Sequence, residues 1–173
     1  MVDLKPAAAD DLAEVVALTN WAYRGTGPQS SWTTESYLDG ERTTAEALAA
    51  DLAGNPRAQV LLWRDAAGEL QGHFWLEPAG EDAGYIGLLS VRPDRQDQKL
   101  GRTLLAAAED LARARGYRRM RMTVINVRDT LIAWYARRGY EATGETEPFP
   151  YGDDRFGKPL RDDLCFVVLE KAL

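Results

Sequence analysis

Between Tyr85 and Ala114 the chain reads YIGLLSVRPDRQDQKLGRTLLAAAEDLARA, and no other stretch restricts its fold as strongly. A compact apolar run, Tyr85 to Val91, is cut off by Pro93 and a polar segment, after which apolar residues return at helical spacing. The order is strand, polar loop, helix. Leu100, Leu104, Leu105, Ala108, Leu111 and Ala112 form one stripe of the helix, expected to pack on a sheet, while Arg102, Glu109, Asp110 and Arg113 are expected on the outer face. The first helical turn then points unpaired backbone N–H groups out of the loop from Arg95 to Gly101. Such a terminus has partial positive charge and free donors, which suits a phosphate or pyrophosphate.

Composition sets the scale. With 173 residues, 45% hydrophobic and 28% charged, the chain suits one sizeable core, so a single domain over residues 1–173 is expected. It has no apolar stretch of membrane-spanning length, and MVDLKPAAADD lacks the basic-then-apolar plan of a signal peptide, so a cytoplasmic protein with no membrane partner is expected. The lone cysteine, Cys165, lies in the apolar run LCFVVL and reads as a buried small hydrophobe. A net charge of −6 argues against a nucleic-acid partner. Residues 101–138 nevertheless hold nine arginines against three acids, so the remainder of the chain carries −12. A basic segment starting at a phosphate-binding helix, inside an acidic protein, suggests a small polyanionic cofactor on one side and a cationic or neutral substrate on the other. Most of the nine arginines are expected to be simply solvated.

The remaining elements follow in order. Val2 to Lys5 is a short strand, and Leu12, Val15, Val16, Thr19, Ala22 and Tyr23 mark an amphipathic helix with Asp10 or Asp11 as its cap. RGTGPQSSWTTESYLDGERTT is a long loop without period, in which Trp32, Glu35 and Tyr37 either line a substrate pocket or pin a lid to the core. A helix from Thr44 to Ala53, capped by Thr43 or Thr44, precedes three strands, Ala58 to Arg64, Gln71 to Glu77 and Tyr85 to Val91. Their short links imply an antiparallel meander. His73, the sole histidine, has no paired acid or metal-spaced partner nearby in sequence and reads as structural and half-buried. Gly116 ends the organising helix, and Arg119 to Val124 is a strand parallel to the Tyr85 strand, reached by a helical crossover. A short helix from Thr130 to Arg138 with Leu131, Ile132 and Tyr135 on one face, strands at Tyr140 to Thr146 and Leu164 to Glu170, and a polar loop between them complete the chain. The expected class is α/β: a mixed, mostly antiparallel sheet with a parallel pair, flanked by about four helices.

This chain resembles the GCN5-related N-acetyltransferase (GNAT) family over nearly its whole length in element order. The residue-level likeness lies between Tyr85 and Tyr140: Leu89-Ser90-Val91-Arg92-Pro93 at a strand end, the loop Gln96-Asp97-Gln98-Lys99-Leu100-Gly101, then Tyr135 ahead of Gly139-Tyr140. The resemblance implies acetyl-CoA as cosubstrate, with no metal. Backbone groups of Leu89, Ser90 and Val91 would pair with the pantetheine amides, as an added strand does. The amides of Gln96, Asp97, Gln98, Lys99, Leu100, Gly101 and Arg102 would hold the pyrophosphate. Attack of an amine on a thioester needs the free base, although an alkylammonium has a pKa of about 10.4, and collapse of the intermediate expels a thiolate whose acid has a pKa of about 8.5. The resemblance gives Tyr135 the task of protonating that sulfur.

Three positions depart from the family pattern. Lys99 stands where a first loop glycine is usual, Asp97 adds a negative charge to the loop, and Arg128 occupies a position that often holds asparagine. Arg128 is therefore a candidate cofactor contact. No glutamate lies on the strand leading to the loop, so the general base is open among Glu77, Glu35 and a held water, and Asp153, Asp154, Asp162 and Asp163 are candidates to attract a cationic amine. The leading expectation is an N-acetyltransferase acting on a primary amine of a small molecule or peptide by direct attack in a ternary complex. The alternative is a non-catalytic acyl-CoA sensor or interaction module of the same fold. The absence of a GxxxxGK(S/T) loop argues against a nucleotide triphosphatase. Many family members pair through their late strands, which makes a homodimer a candidate assembly.

Overall fold

A computed structural model describes residues 1–25 and 32–173. Its centre is a seven-stranded sheet in the order β1-β3-β4-β5-β6-β9-β7. The strands are β1 (Leu4–Pro6), β3 (Gln59–Arg64), β4 (Leu70–Ala79), β5 (Ala83–Val91), β6 (Arg119–Ile125), β7 (Glu141–Pro148) and β9 (Cys165–Ala172). A separate two-stranded ribbon joins β2 (Leu38–Asp39) to β8 (Lys158–Pro159), a pairing across 119 residues of chain that no local pattern announces. The helices are α1 (Leu12–Arg24), α2 (Ala45–Gly54), α3 (Leu100–Ala114) and α4 (Asp129–Ala136). All neighbouring strands of the large sheet are antiparallel except β5 and β6. The expected class and the parallel pair are both present.

Two local devices prepare the site. Parallel pairing of β5 with β6 runs only from Ala83↔Arg119 to Tyr85↔Arg121, and beyond it the strands separate while β6 stays paired with β9. In the same part of β5 the register against β4 slips, with His73 opposite Ser90 but Trp75 opposite Gly87, so β5 holds one extra residue there. Leu88 takes φ 50° within this bulge, and the Ser90 hydroxyl donates to its carbonyl at 3.0 Å. A bulge raises local twist and bends its strand, which turns Leu89–Val91 away from β6. Gly72 lets the neighbouring strand follow. A Cβ there would lie 2.7 Å from the Ser90 carbonyl oxygen and 2.8 Å from a Leu104 methyl, so only glycine fits between bulge and α3.

The main core lies between the sheet and α3, built on Phe74, Leu76, Ile86, Leu104, Leu105, Ala108, Met120 and Leu169. A second cluster seats α1 and α2 through Val15, Leu18, Leu48, Val60 and Leu62. Thr44 caps α2 by accepting from the Ala47 N–H at 3.1 Å, as its sequence position suggested. Asp11 does not cap α1. Its carboxylate instead accepts from the Ala8 N–H at 2.8 Å and pairs with Arg64 at 3.0 Å, because a 3-10 turn over Ala9–Asp11 leads into the helix. Glu109, expected on the outer face of α3, is buried, since the Tyr140 hydroxyl at 3.0 Å and Lys171 Nζ at 2.8 Å reach it from the end of the sheet. Cys165 is half-buried at the start of β9 rather than deep in the core.

His73 is fully buried, deeper than its sequence context implied, and acts within α1–β4 packing. The Thr19 hydroxyl donates to the Val15 carbonyl at 2.8 Å, so it accepts from His73 Nε2 at 2.9 Å, which assigns the proton to Nε2. Nδ1 has no partner among the described residues. Burial lowers the imidazole pKa from 6.5 to about 4. With the folded value below the unfolded one, stability is complete above pH 6.5 and falls as pH drops from there towards 4. At about 1.4 kcal/mol per pH unit, urea unfolding at pH 4.5 should show a stability about 2 to 3 kcal/mol lower than at pH 7.5 from this group alone. In His73→Gln that component of the pH dependence should vanish.

Candidate active site

Two adjoining cavities meet at Tyr135, the second of them in the gap left by the diverging β5 and β6. The first is a cleft of about 270 Å³ bounded by Leu89–Val91 of β5, by Lys99–Arg102 at the start of α3, by Leu131, Trp134 and Tyr135 of α4 with Arg138 in the turn after it, and by Tyr23, Trp32 and Thr33. The second, of about 90 Å³, lies deeper between the strands, with Tyr85, Thr123, Arg42, Glu35 and Phe156 among its walls. Tyr135, Tyr23, Leu89, Arg128 and Leu131 line both.

The start of α3 leaves its first backbone donors open. Lys99, the N-cap residue, adopts φ 58° and ψ 28°, no side chain caps the helix, and its first turn contains no acid. The first backbone bond of the helix runs from the Thr103 N–H to the Lys99 carbonyl at 3.1 Å, which leaves the N–H groups of Leu100, Gly101 and Arg102 without helical acceptors. Lys99 holds the left-handed conformation that glycine occupies without cost. Its side chain is exposed at the cleft mouth.

Arg138 completes this end of the cleft and was not singled out by sequence. Its guanidinium lies 3.7 Å from the centre of the Trp134 ring and donates to the Trp134 carbonyl at 2.7 Å, while Nε is buried without a partner. Burial pushes its pKa down, with repulsion from Arg137 and Arg102 adding to the effect. This is a cation whose surroundings favour an incoming negative group. The signal in the sequence was an arginine three residues after Tyr135, in the turn that closes α4, where its N–H donates to the Tyr135 carbonyl at 2.9 Å.

Tyr135 stands at the junction of the cavities, 7% exposed. Its ring packs edge-on against Trp134 and Tyr140 at centroid distances of 5.0 and 5.6 Å, and its hydroxyl has no hydrogen-bond partner among the described residues. Burial raises its pKa above the usual phenol value, the neighbouring Tyr23 adds to the rise, and Arg128 and Arg138 oppose it. The hydroxyl is therefore protonated at any working pH and is free to donate.

The structure thus gathers Leu89, Ser90, Val91, Lys99, Leu100, Gly101, Arg102 and Tyr135 around one cleft. Asp97 and Gln98 lie exposed in a 3-10 turn over Pro93–Gln98 and do not line it, and the side chain of Gln96 lies outside the described residues. Of the long loop, residues 26–31 lie outside the described residues. Trp32 reaches the cleft and Glu35 the deeper cavity, whereas Tyr37 packs with Leu38, Ile125 and Phe149. Arg128 is not a free cofactor ligand, since it donates to the Thr33 carbonyl at 2.7 Å and pairs with Glu35 at 3.4 Å.

The proposed bases fare differently. Glu35 is 4% exposed and bridges Arg128 and Arg24, the latter at 2.5 Å, so its charge is committed to two guanidiniums. Glu77 accepts from Trp75 Nε1 at 3.0 Å and Asn55 Nδ2 at 2.5 Å and lines neither cavity. Asp153, Asp154, Asp162 and Asp163 are exposed outside both cavities, and Asp163 is paired with Arg161 at 2.5 Å. Their attraction for an amine would be screened by solvent.

A bulged, splayed strand pair, an uncapped helix start and a buried tyrosine thus meet at one cleft of a mixed α/β fold. The acetyltransferase (GNAT) family model matches residues 17–140, and the chain belongs to that family. A mycothiol acetyltransferase of Clavibacter sepedonicus is 34% identical over 139 residues, which are 80% of this chain and 42% of that protein. The chain thus spans about two-fifths of the length of the curated relatives it matches. Among solved structures, a ribosomal-protein-alanine N-acetyltransferase of Brucella melitensis superposes with a TM-score of 0.68 at 20% identity, covering 99% of both chains. A GNAT acetyltransferase of Elizabethkingia anophelis, solved with acetyl-CoA bound, gives 0.65 at 16% identity over 99% of this chain and 98% of that one.

Proposed function

We propose that the protein is an acetyl-CoA-dependent N-acetyltransferase acting on a primary amine by direct transfer in a ternary complex. One observation carries this reading: the splayed Leu89–Val91 edge, the uncapped start of α3 and the Tyr135 hydroxyl all line the same cleft. The elongated cofactor fits these walls. Its amide-bearing arm has the edge of β5 beyond the pairing with β6 to add to, where the Leu89 carbonyl accepts only a long bond from the Tyr23 hydroxyl at 3.4 Å among the described residues. Its pyrophosphate has the N–H groups of Leu100, Gly101 and Arg102, and Lys99, Arg102 and Arg138 supply cations for its phosphates. Bound there, the cofactor supplies an activated acetyl thioester. Tyr135 then holds the proton that the departing sulfur takes. The only carboxylate lining either cavity among the described residues is the paired Glu35, so the amine loses its proton through water to solvent. The donor itself is acetyl-CoA, with no metal taking part in this reading, and a mycothiol-type acceptor belongs in the first panel of amines.

The test is isothermal titration with acetyl-CoA of wild type and Gly101→Ala. A Cβ at Gly101 would meet Trp134 at 3.6 Å, an ordinary contact, so the folded protein tolerates it. The methyl would nevertheless stand on the helix turn that a phosphate must approach. Wild type should bind with a micromolar Kd and the variant roughly tenfold more weakly, equivalent to about 1.4 kcal/mol, with an undiminished melting temperature. Absence of acetyl-CoA binding by wild type would remove this reading.

A further inference from the structure

The deeper cavity carries a charge pattern that the transfer reaction does not need. Arg42, Arg128 and the carboxylate of Glu35 line the cavity, and Arg24, which is not part of its wall, pairs with Glu35. Glu35 engages Arg24 at 2.5 Å and Arg128 at 3.4 Å. Arg42 is left over. Its side chain makes no ion pair or hydrogen bond with any described residue, yet it is not a loose surface group. Its backbone N–H is fixed on Asn20 Oδ1 at 2.7 Å, and its guanidinium carbon lies 4.7 Å from the Phe156 ring centre and 5.8 Å from that of Tyr23. Two aromatic rings hold the cation against the cavity wall with its donors unused.

From this placement we infer that the acceptor amine also carries an anionic group, a carboxylate or a phosphonate-type acid, which Arg42 binds while the amine points towards Tyr135. The inference rests on the acetyltransferase reading. Two cations in its wall against one anion that is also paired with Arg24 leave the cavity positive, so a polyamine or other polycationic acceptor meets repulsion there. A zwitterion brings its own compensating charge. A planar carboxylate also matches the two-pronged donor geometry of a guanidinium, and a cavity of about 90 Å³ suits the end of a small molecule. Glu35 is already neutralised by Arg24 and Arg128 and does not satisfy Arg42. Arg42 is thus a specificity-determining residue on the acceptor side, apart from the donor cleft, whose lining does not include it.

The experiment first confirms acetyl-CoA binding by titration, then measures thiol release with a panel of free L-amino acids, their carboxamides, aminoalkylphosphonates and spermidine. Wild type should acetylate at least one carboxylate- or phosphonate-bearing amine, with kcat/KM at least tenfold above its uncharged amide counterpart and above spermidine. Arg42→Gln should reduce kcat/KM for the anionic acceptor ten- to a hundredfold, chiefly through KM, and collapse the acid-over-amide ratio towards one. Arg42→Lys, which keeps charge but loses the planar fork, should fall between. Acetyl-CoA affinity of both variants should stay near the wild-type value, which separates this site from a damaged fold. Equal losses for acid and amide in Arg42→Gln would overturn the inference, as would a wild-type preference for spermidine or amides. Acetyl-CoA binding with no anionic amine turned over would also overturn it and leave the acetyltransferase reading standing. Failure to bind acetyl-CoA would remove both.

Discussion

Tyr135→Phe is expected to lower kcat by a factor of about 10² to 10⁴, the usual contribution of a positioned general acid, while the Kd for acetyl-CoA changes little. The substitution removes one oxygen from a ring held edge-on by Trp134 and Tyr140, so packing is preserved. The hydroxyl has no described partner to leave stranded. A phenol with a pKa raised by burial donates poorly to water but well to a thiolate formed beside it, because the developing charge is also poorly solvated there. Pre-steady-state measurement of thiol release with a turned-over acceptor checks this. Full turnover by the phenylalanine variant would move the proton donor elsewhere and leave Tyr135 as a wall between the cavities.

Glu35→Ala should destabilise the protein by about 3 to 5 kcal/mol, the range for breaking a buried ion pair from one side. For a chain of this size that corresponds to a fall of roughly 6 to 20 °C in melting temperature. The carboxylate is the shared partner of Arg24 and Arg128, whose side chains are only 7% and 9% exposed, and its loss leaves two guanidiniums without their counter-ion. Arg24 is already pushed down by burial, with Glu35 acting against that shift, so it depends directly on this neighbour. The same cluster ties the chain before β2 to α1, to the start of α4 and to the Phe156 carbonyl. Differential scanning calorimetry of the alanine and glutamine variants measures the effect. Loss of turnover without loss of stability would instead identify Glu35 as the base.

The two substitutions probe the parts of the site that were unequally legible. Tyr135, the Leu89–Val91 strand end and the Gly101 loop lie within about fifty residues of one another, and each leaves a local mark: an apolar run stopped by proline, a return of helical period, a tyrosine ahead of a glycine–aromatic pair. The acceptor side leaves no such mark. Arg42 and Glu35 sit in a stretch without period, Arg128 and Phe156 come from two other loops, and they meet only because β2 pairs with β8. Glu35 looked like a candidate base when its partners were unknown. Once Arg24 and Arg128 are seen on either side, its charge is accounted for.

Periodicity and punctuation in the amino-acid sequence by themselves determined the order of the main strands and helices, without the β2–β8 ribbon, and the parallel crossover from β5 to β6, because these depend on contacts within one or two neighbouring elements. The tertiary structure alone decided where β5 leaves β6, that Lys99 takes a left-handed backbone, that Glu109 and His73 are buried, and which charges in the deeper cavity are paired. The physical reason is range. Hydrophobic period is written along the chain, whereas the fate of a charge depends on which partner arrives from elsewhere in it, and here Glu35 is met by an arginine 93 residues away.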